Sequence, residues 1–312
     1  MKKIIYIFLF ASLFFAACTS EDVPKPPTKD QDKQIELRLN VKDFMGETRS
    51  GFDATDDEKK IVNLNLFIQA GTTWHKFYID AATFTSGTTY GTWETTVDGK
   101  EKILLSLKPS DVGSADVYVV ANAGNTLGSI SDATELKNHL EATATSWTNL
   151  ITPLIMSGET VTSHNFSSTP VLDAVTLTRA VAKAEVTVTL TQQYQSETEA
   201  EYAYRLFNFN KNTYLFSDAS SIAEDLEGTG TDWQDIDNIV EFIKTGDTVT
   251  GFTFTTYLNE RDAATAGHTT LELKLPFWDE GAPPPQFEDE SLPIKFPDEI
   301  KRNHYYKINV QM

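Results

Sequence analysis

Residues 35–49 read IELRLNVKDFMGETR. Ile35, Leu37, Leu39 and Val41 alternate with Glu36, Arg38, Asn40 and Lys42, the period of two expected of a strand that buries one face. Arg49 follows, between polar neighbours. The stretch YYKINVQM at 305–312 has the same grammar: Tyr306, Ile308, Val310 and Met312 alternate with Tyr305, Lys307, Asn309 and Gln311. Two strands of one type therefore bracket the body of the chain, and the functional question is whether one can take the place of the other.

On the N-terminal side, Lys2 and Lys3 precede an apolar run from Ile4 to Ala17. It is shorter than the roughly 20 residues a spanning helix needs and reads as a secretory signal. The run ends in Phe15-Ala16-Ala17-Cys18, which resembles a bacterial lipobox, where the thiol becomes a lipid thioether. The alternative is an ordinary cleaved signal with a chance cysteine. Cys18 is the only cysteine in the chain, so the body has none for a disulfide, a metal site or a thiol nucleophile. Acyl chains on Cys18 would hold the protein at an outer leaflet. Thr19-Ser20-Glu21-Asp22 resembles the surface-export signal of Bacteroidota lipoproteins, and the proline-rich, charged residues 23–34 read as a tether.

The formal net charge of −19 repels nucleic acid and anionic membranes, and no basic patch interleaved with aromatics exists, which excludes nucleic-acid binding. Phe44 to Lys60, with Asp53, Asp56, Asp57 and Glu58, predicts an exposed loop that a protease can reach. Its spacing lacks the alternating ligands and glycine turn of a calcium loop. Strands are expected at Ile61–Gln69, Trp74–Ile79, Lys102–Leu107, Val117–Ala121, Leu150–Met156, Pro170–Leu177 and Ala180–Thr191. The second half continues with strands at Tyr202–Phe209, Thr213–Phe216, Phe252–Leu258 and Thr270–Leu275. Helices are expected at Ser131–Leu140, with Asp132 and Glu135 as a capping box, at Ser220–Leu226 and at Asp235–Phe242. Pro283-Pro284-Pro285 makes the acidic stretch 279–298 a loop or an edge. The class is mainly β with a few short helices.

Motifs for catalysis are missing. The five histidines lie far apart, none with a second histidine or a cysteine at ligand spacing, so no metal site is expected. There is no G-x-S-x-G elbow, no P-loop and no dinucleotide fingerprint, so neither an enzyme nor a cofactor is expected. Carboxylates are abundant, but no pair stands out as glycosidase-like. Trp74, Trp93, Trp147, Trp233 and Trp278 could line a carbohydrate platform or serve as ordinary packing. Asp247-Thr248-Val249 matches a short Bacteroidota O-glycosylation sequon.

Several stretches in order resemble the fimbrillins of Bacteroidota, the subunits of type V pili. They are the lipobox at Cys18, the strand before Arg49, and the acidic loop leading into 61–69. Further on come Asp116 to Ala123, Leu154 to Glu159, Leu177 to Glu185 and Arg302 to Val310. The resemblance implies two tandem transthyretin-like β-sandwich domains, here 50–175 and 176–312, after a signal peptide (1–17) and a lipidated tether with a removable strand (18–49). It also implies an outer-membrane lipoprotein precursor held by lipid at Cys18, cleaved after Arg49 by an arginine-specific surface protease. Arg38 lies inside the strand, and the apolar neighbours of Arg179 predict burial. Removing Ile35, Leu37, Leu39 and Val41 would open a groove for Tyr306, Ile308, Val310 and Met312 of another copy or a related subunit, by β-strand addition. With both ends present, the expected place is the stalk of a surface fimbrium that supports adhesion. The competing expectation is a monomeric, surface-anchored glycan-binding lipoprotein.

Overall fold

The computed structural model describes residues 34–46, 51–52, 54–80, 91–95, 100–142, 152–216, 226–227, 232–235, 240–262, 267–279 and 286–312. The first strands are β1 (Ile35–Val41), β2 (Phe44–Gly46), β3 (Gly51–Phe52), β4 (Asn63–Ala70), β5 (Thr73–Asp80), β6 (Gly91–Thr95), β7 (Glu101–Leu105) and β8 (Ser114–Ala121). Next come β9 (Leu140–Ala142), β10 (Met156–Glu159), β11 (His164–Asn165), β12 (Val171–Arg179), β13 (Val181–Thr189), β14 (Ala203–Phe207), β15 (Phe209–Asn210) and β16 (Asn212–Tyr214). The last are β17 (Leu226–Glu227), β18 (Gln234–Asp235), β19 (Val240–Thr245), β20 (Thr248–Asn259), β21 (Thr270–Asp279), β22 (Gln286–Lys295) and β23 (His304–Gln311). Among the described residues, three short α-helices join them: α1 (Asp56–Lys59), α2 (Pro109–Val112) and α3 (Ala133–Lys137).

A nine-stranded sheet runs β5-β4-β8-β10-β12-β1-β7-β6, with β11 beside β8. It folds over its own core, because Leu64, Leu66 and Ile68 of β4 and Val117 and Val119 of β8 share one buried cluster with Ile35, Leu37 and Leu39 of β1 and Ile103 and Leu105 of β7. Strand β12 makes the turn. Its earlier residues pair with β1, whereas Thr178 and Arg179 pair with β10. A second core lies between the sheet β19-β20-β13-β23-β2-β3 and the sheet β18-β14-β21-β22. Ala184, Val186 and Val188 meet Phe252 and Phe254 on one side, and Tyr204, Leu206, Leu271 and Leu273 face them from the other. Arg302, buried, pairs with Glu260 and donates to the carbonyls of Tyr214 (2.8 Å) and Leu215 (3.2 Å), and the Leu215 side chain packs with Phe67 and Tyr118 of the first half.

Several expectations are corrected. The helix expected at Asp235–Phe242 is strand where it is described: Val240 to Thr245 pairs with β20 in a tight hairpin whose register closes at Thr245 and Thr248, around Gly246 at φ +63°. The strand expected at Leu150–Met156 instead begins at Met156 and runs to Glu159. The helix in Ser131–Leu140 shortens to α3, and its cap is half a box. Asp132 accepts from the Glu135 N–H, but the Glu135 carboxylate turns to the N–H and hydroxyl of Ser131. Of Ser220–Leu226 only Leu226 is described, and it starts β17. The acidic stretch 279–298, expected as a loop or an edge, does carry an edge strand, β22, which pairs with β21.

Candidate functional site

The site is the seat of β1 and the junction where the chain leaves it. Strand β1 is central: it pairs in parallel with β12 (Leu39 opposite Val175, Val41 opposite Leu177) and antiparallel with β7 (Ile35 opposite Leu105, Leu37 opposite Ile103). Ile35 and Leu37 are 0% exposed and Leu39 2%, while Val41 packs partly buried against the same core. The polar face points outward, where Arg38 bridges Glu36 (2.7 Å) and Asp173 (3.0 Å). Taking β1 away would leave unpaired backbone on both β12 and β7 beside an open apolar groove.

Beyond β1 the chain does not run out as a bare loop, which corrects the expectation for Phe44–Lys60. Lys42 donates its N–H to the Leu177 carbonyl (2.9 Å), and β2 then pairs in parallel with β23 (Met45 opposite His304, Gly46 opposite Tyr305). Phe44 is 1% exposed, in a cluster with Ala54, Leu154, Val181 and Tyr305. Glu58 is 1% exposed rather than solvated. Thr55 and Glu58 form a reciprocal capping box for α1, a T-x-x-E pattern legible in the sequence but masked there by the surrounding aspartates. The Glu58 carboxylate also meets Lys183 Nζ (2.8 Å) and accepts from the Tyr257 hydroxyl (2.7 Å). Burial alone would raise its pKa; the Lys183 and Tyr257 hydrogen bonds outweigh that and hold it below the ordinary range.

At the centre of this junction is Arg179, buried as its neighbours predict. Its Nε donates to the Glu58 carbonyl (3.1 Å), and its Nη1 donates to the Lys42 carbonyl (2.6 Å) and to Asn303 Oδ1 (3.1 Å). The guanidinium lies over the Phe44 ring, 4.3 Å from its centre, and Nη2 has no hydrogen-bond partner among the described residues. Burial pulls the Arg179 pKa down to about 10. Asn303, in the left-handed region at φ +55°, donates from Nδ2 to the Asp43 carbonyl (2.7 Å) and accepts the Met45 N–H at its own carbonyl (2.8 Å). Arg179 and Asn303 thus hold the backbone of residues 42–45, with the Glu58 carbonyl holding Arg179 in turn.

Strand β23 lies in parallel beside β13, from Lys183 opposite Tyr305 to Thr189 opposite Gln311. Tyr306 is buried in the second core, and Ile308, Val310 and Met312 pack partly buried against it. Arg38 is within β1 as expected. Cys18 and Arg49 lie outside the described residues. The tryptophans divide: Trp74 and Trp93 pack against separate cores, Trp233 is exposed under the Arg205 guanidinium, and Trp147 lies outside the described residues.

Residues 180–311 match the family model described as minor fimbrium tip subunit MfA4, C-terminal. Over its full length the chain is 33% identical to the minor fimbrium tip subunit MfA4 of Porphyromonas gingivalis, all of which is covered. Among solved structures, the tip fimbrial protein Mfa3 of Porphyromonas gingivalis aligns at TM-score 0.50 and 15% identity, over 89% of this chain and 95% of that one. A candidate cell adhesion protein from Bacteroides eggerthii aligns at TM-score 0.54 and 17% identity, over 90% and 86%. These two likenesses speak to the fold. The full-length relative places the chain: it belongs to the MfA4 family of Bacteroidota fimbrillins.

Proposed function

We propose that the protein is a structural subunit of a type V fimbrium on the bacterial surface. Residues 1–17 direct export, Cys18 carries the lipid, and an arginine-specific surface protease cuts after Arg49 to release 18–49. The body divides near 175–176 into two sandwiches. Tyr306, Ile308, Val310 and Met312 of one subunit then fill the groove left by Ile35, Leu37, Leu39 and Val41 in the next.

The observation that carries this reading is the seat of β1. Strand β1 has Ile35, Leu37 and Leu39 buried, Val41 partly so, and both edges paired, and its apolar spacing is that of β23. Both strands also pair in parallel with one of two consecutive strands, β12 and β13. Four apolar side chains at about 1.5 to 3 kcal/mol each give roughly 6 to 12 kcal/mol, an upper bound for the groove. The full-length relative is a tip subunit of a minor fimbrium, which favours a place in the tip assembly; the pairing of a removable strand with a matching C-terminal strand favours the stalk. Gold labelling of intact fimbriae separates the two, by label at the ends or along the length. For the polymer itself, treatment of the purified precursor with an arginine-specific protease is expected to remove residues up to Arg49 and give ladders on unboiled gels. A clean cut that leaves a stable monomer would overturn the reading and favour the anchored glycan binder.

A further inference from the structure

The segment that follows β1 is held by groups that also hold the start of β23. Lys42 accepts from Arg179, Asp43 accepts from Asn303, and Met45 donates to the Asn303 carbonyl. Arg179 in turn donates to Asn303 Oδ1, and Asn303 stands immediately before β23, with its own N–H on the Val181 carbonyl (2.8 Å). The Phe44 ring fills the space between the Arg179 guanidinium and a cluster that contains Tyr305 and Val181. On the side of β23 away from β13, pairing with β2 is confined to His304 and Tyr305.

We infer that Lys42–Gly46 is a latch: while seated, it locks β23 into its own sheet through Asn303, Arg179 and Phe44, and its departure with β1 loosens the C-terminal strand. This rests on the reading that the segment leaves with β1. Its loss would strip the buried Arg179 of the Lys42 carbonyl and the Phe44 ring while Nη2 already lacks a partner among the described residues, and would deprive Asn303 of two of its hydrogen bonds. A buried cation that loses partners must be hydrated or find new ones, so water enters beside Tyr305, where β23 begins. One event would thus open the acceptor groove and ready the donor strand of the same subunit. An intact subunit would be closed at both ends.

Hydrogen exchange read by mass spectrometry on peptides covering 35–41 and 304–312 tests this in the full chain. After cutting by an arginine-specific protease, exchange over 304–312 is expected to rise at least about tenfold in step with the appearance of the free N-terminal segment. Release with no change over 304–312 would overturn the latch and leave the strand-exchange reading intact. If the cut segment stays bound, it is the strand-exchange reading that fails, and the latch is decided in the uncut protein. There Phe44→Leu, which keeps an apolar side chain but removes the ring under Arg179, is expected to speed exchange in both peptides. Leu37→Ala, which loosens β1 alone, should speed chiefly 35–41. Faster exchange confined to 35–41 in Phe44→Leu would overturn the latch.

Discussion

Leu37→Ala separates a strand that belongs to the working protein from one that only accompanies it through export. Leu37 is 0% exposed, between Ile35 and Leu39 on the inner face of β1, and its cluster includes Ile103 and Leu105 of the neighbouring β7. Truncating such a leucine costs about 3 to 5 kcal/mol, the transfer free energy of the lost carbons plus the cavity they leave. The precursor should therefore unfold at markedly lower urea, with the slope of the transition unchanged. Polymer assembled after cutting at Arg49 should resist dissociation by warm detergent as wild type does, because the altered residue has gone. Ile308→Ala should behave the other way: a smaller loss in the precursor, where the side chain is only partly buried, and clear weakening of the polymer. If Leu37→Ala weakens the processed polymer as much as the precursor, β1 has stayed in place and the release of the first strand is refuted.

Glu58→Gln should lower precursor stability at neutral pH by about 3 kcal/mol or more, since Lys183 is left beside a neutral, buried amide. Because the folded Glu58 carboxyl titrates below its ordinary value of 4.5, its contribution is present above that value and lost as pH falls through the lower, folded one. Urea midpoints between pH 7 and pH 3 should thus fall on acidification in wild type and less steeply in the variant. Gly158→Ala would put a Cβ 2.3 Å from the Thr176 carbonyl oxygen, and Thr176 pairs with Asn40 of β1, so a melting temperature several degrees lower is expected together with easier loss of β1. Asn303→Ala places an alanine at φ +55° and removes two side-chain hydrogen bonds, to Asp43 and from Arg179. It should cost more than about 2 kcal/mol by urea unfolding, and no loss would contradict the junction described above.

Much of the β framework follows from alternation, and β1 is its clearest case, with the apolar parity of Ile35, Leu37 and Leu39 inside and Glu36 and Arg38 outside. Burial of Arg179 was also legible, from apolar neighbours on both sides. The segment 235–242 misleads because Ile236, Ile239 and Val240 fall at helical spacing, while the Gly246-Asp247 turn after it, a hairpin signal, sets the register instead. Glu58 shows the limit of composition. In a run of acids it reads as solvated, yet Lys183 and Tyr257, far along the chain, neutralise and bury it. The Asn303 link to Asp43 spans 260 positions, and no local pattern announces such a contact.

The order of events in the proposed assembly is set by where apolar surface is already covered. Ile308, Val310 and Met312 are partly buried at home, whereas the seat of β1 buries Ile35, Leu37 and Leu39 completely. Moving β23 from one to the other therefore gains only the uncovered part of each side chain, on the order of 1 kcal/mol apiece, against the loss of the buried home of Tyr306. Such a margin cannot expel a seated β1, whose removal alone forfeits several times as much. An empty groove changes the comparison, because its apolar walls and the unpaired backbone of β12 and β7 are then the dominant cost in the system. Filling them repays the home contacts of β23 several-fold. Departure of the first strand must precede exchange on energetic grounds, and a precursor kept intact should remain monomeric at any concentration at which its fold is stable.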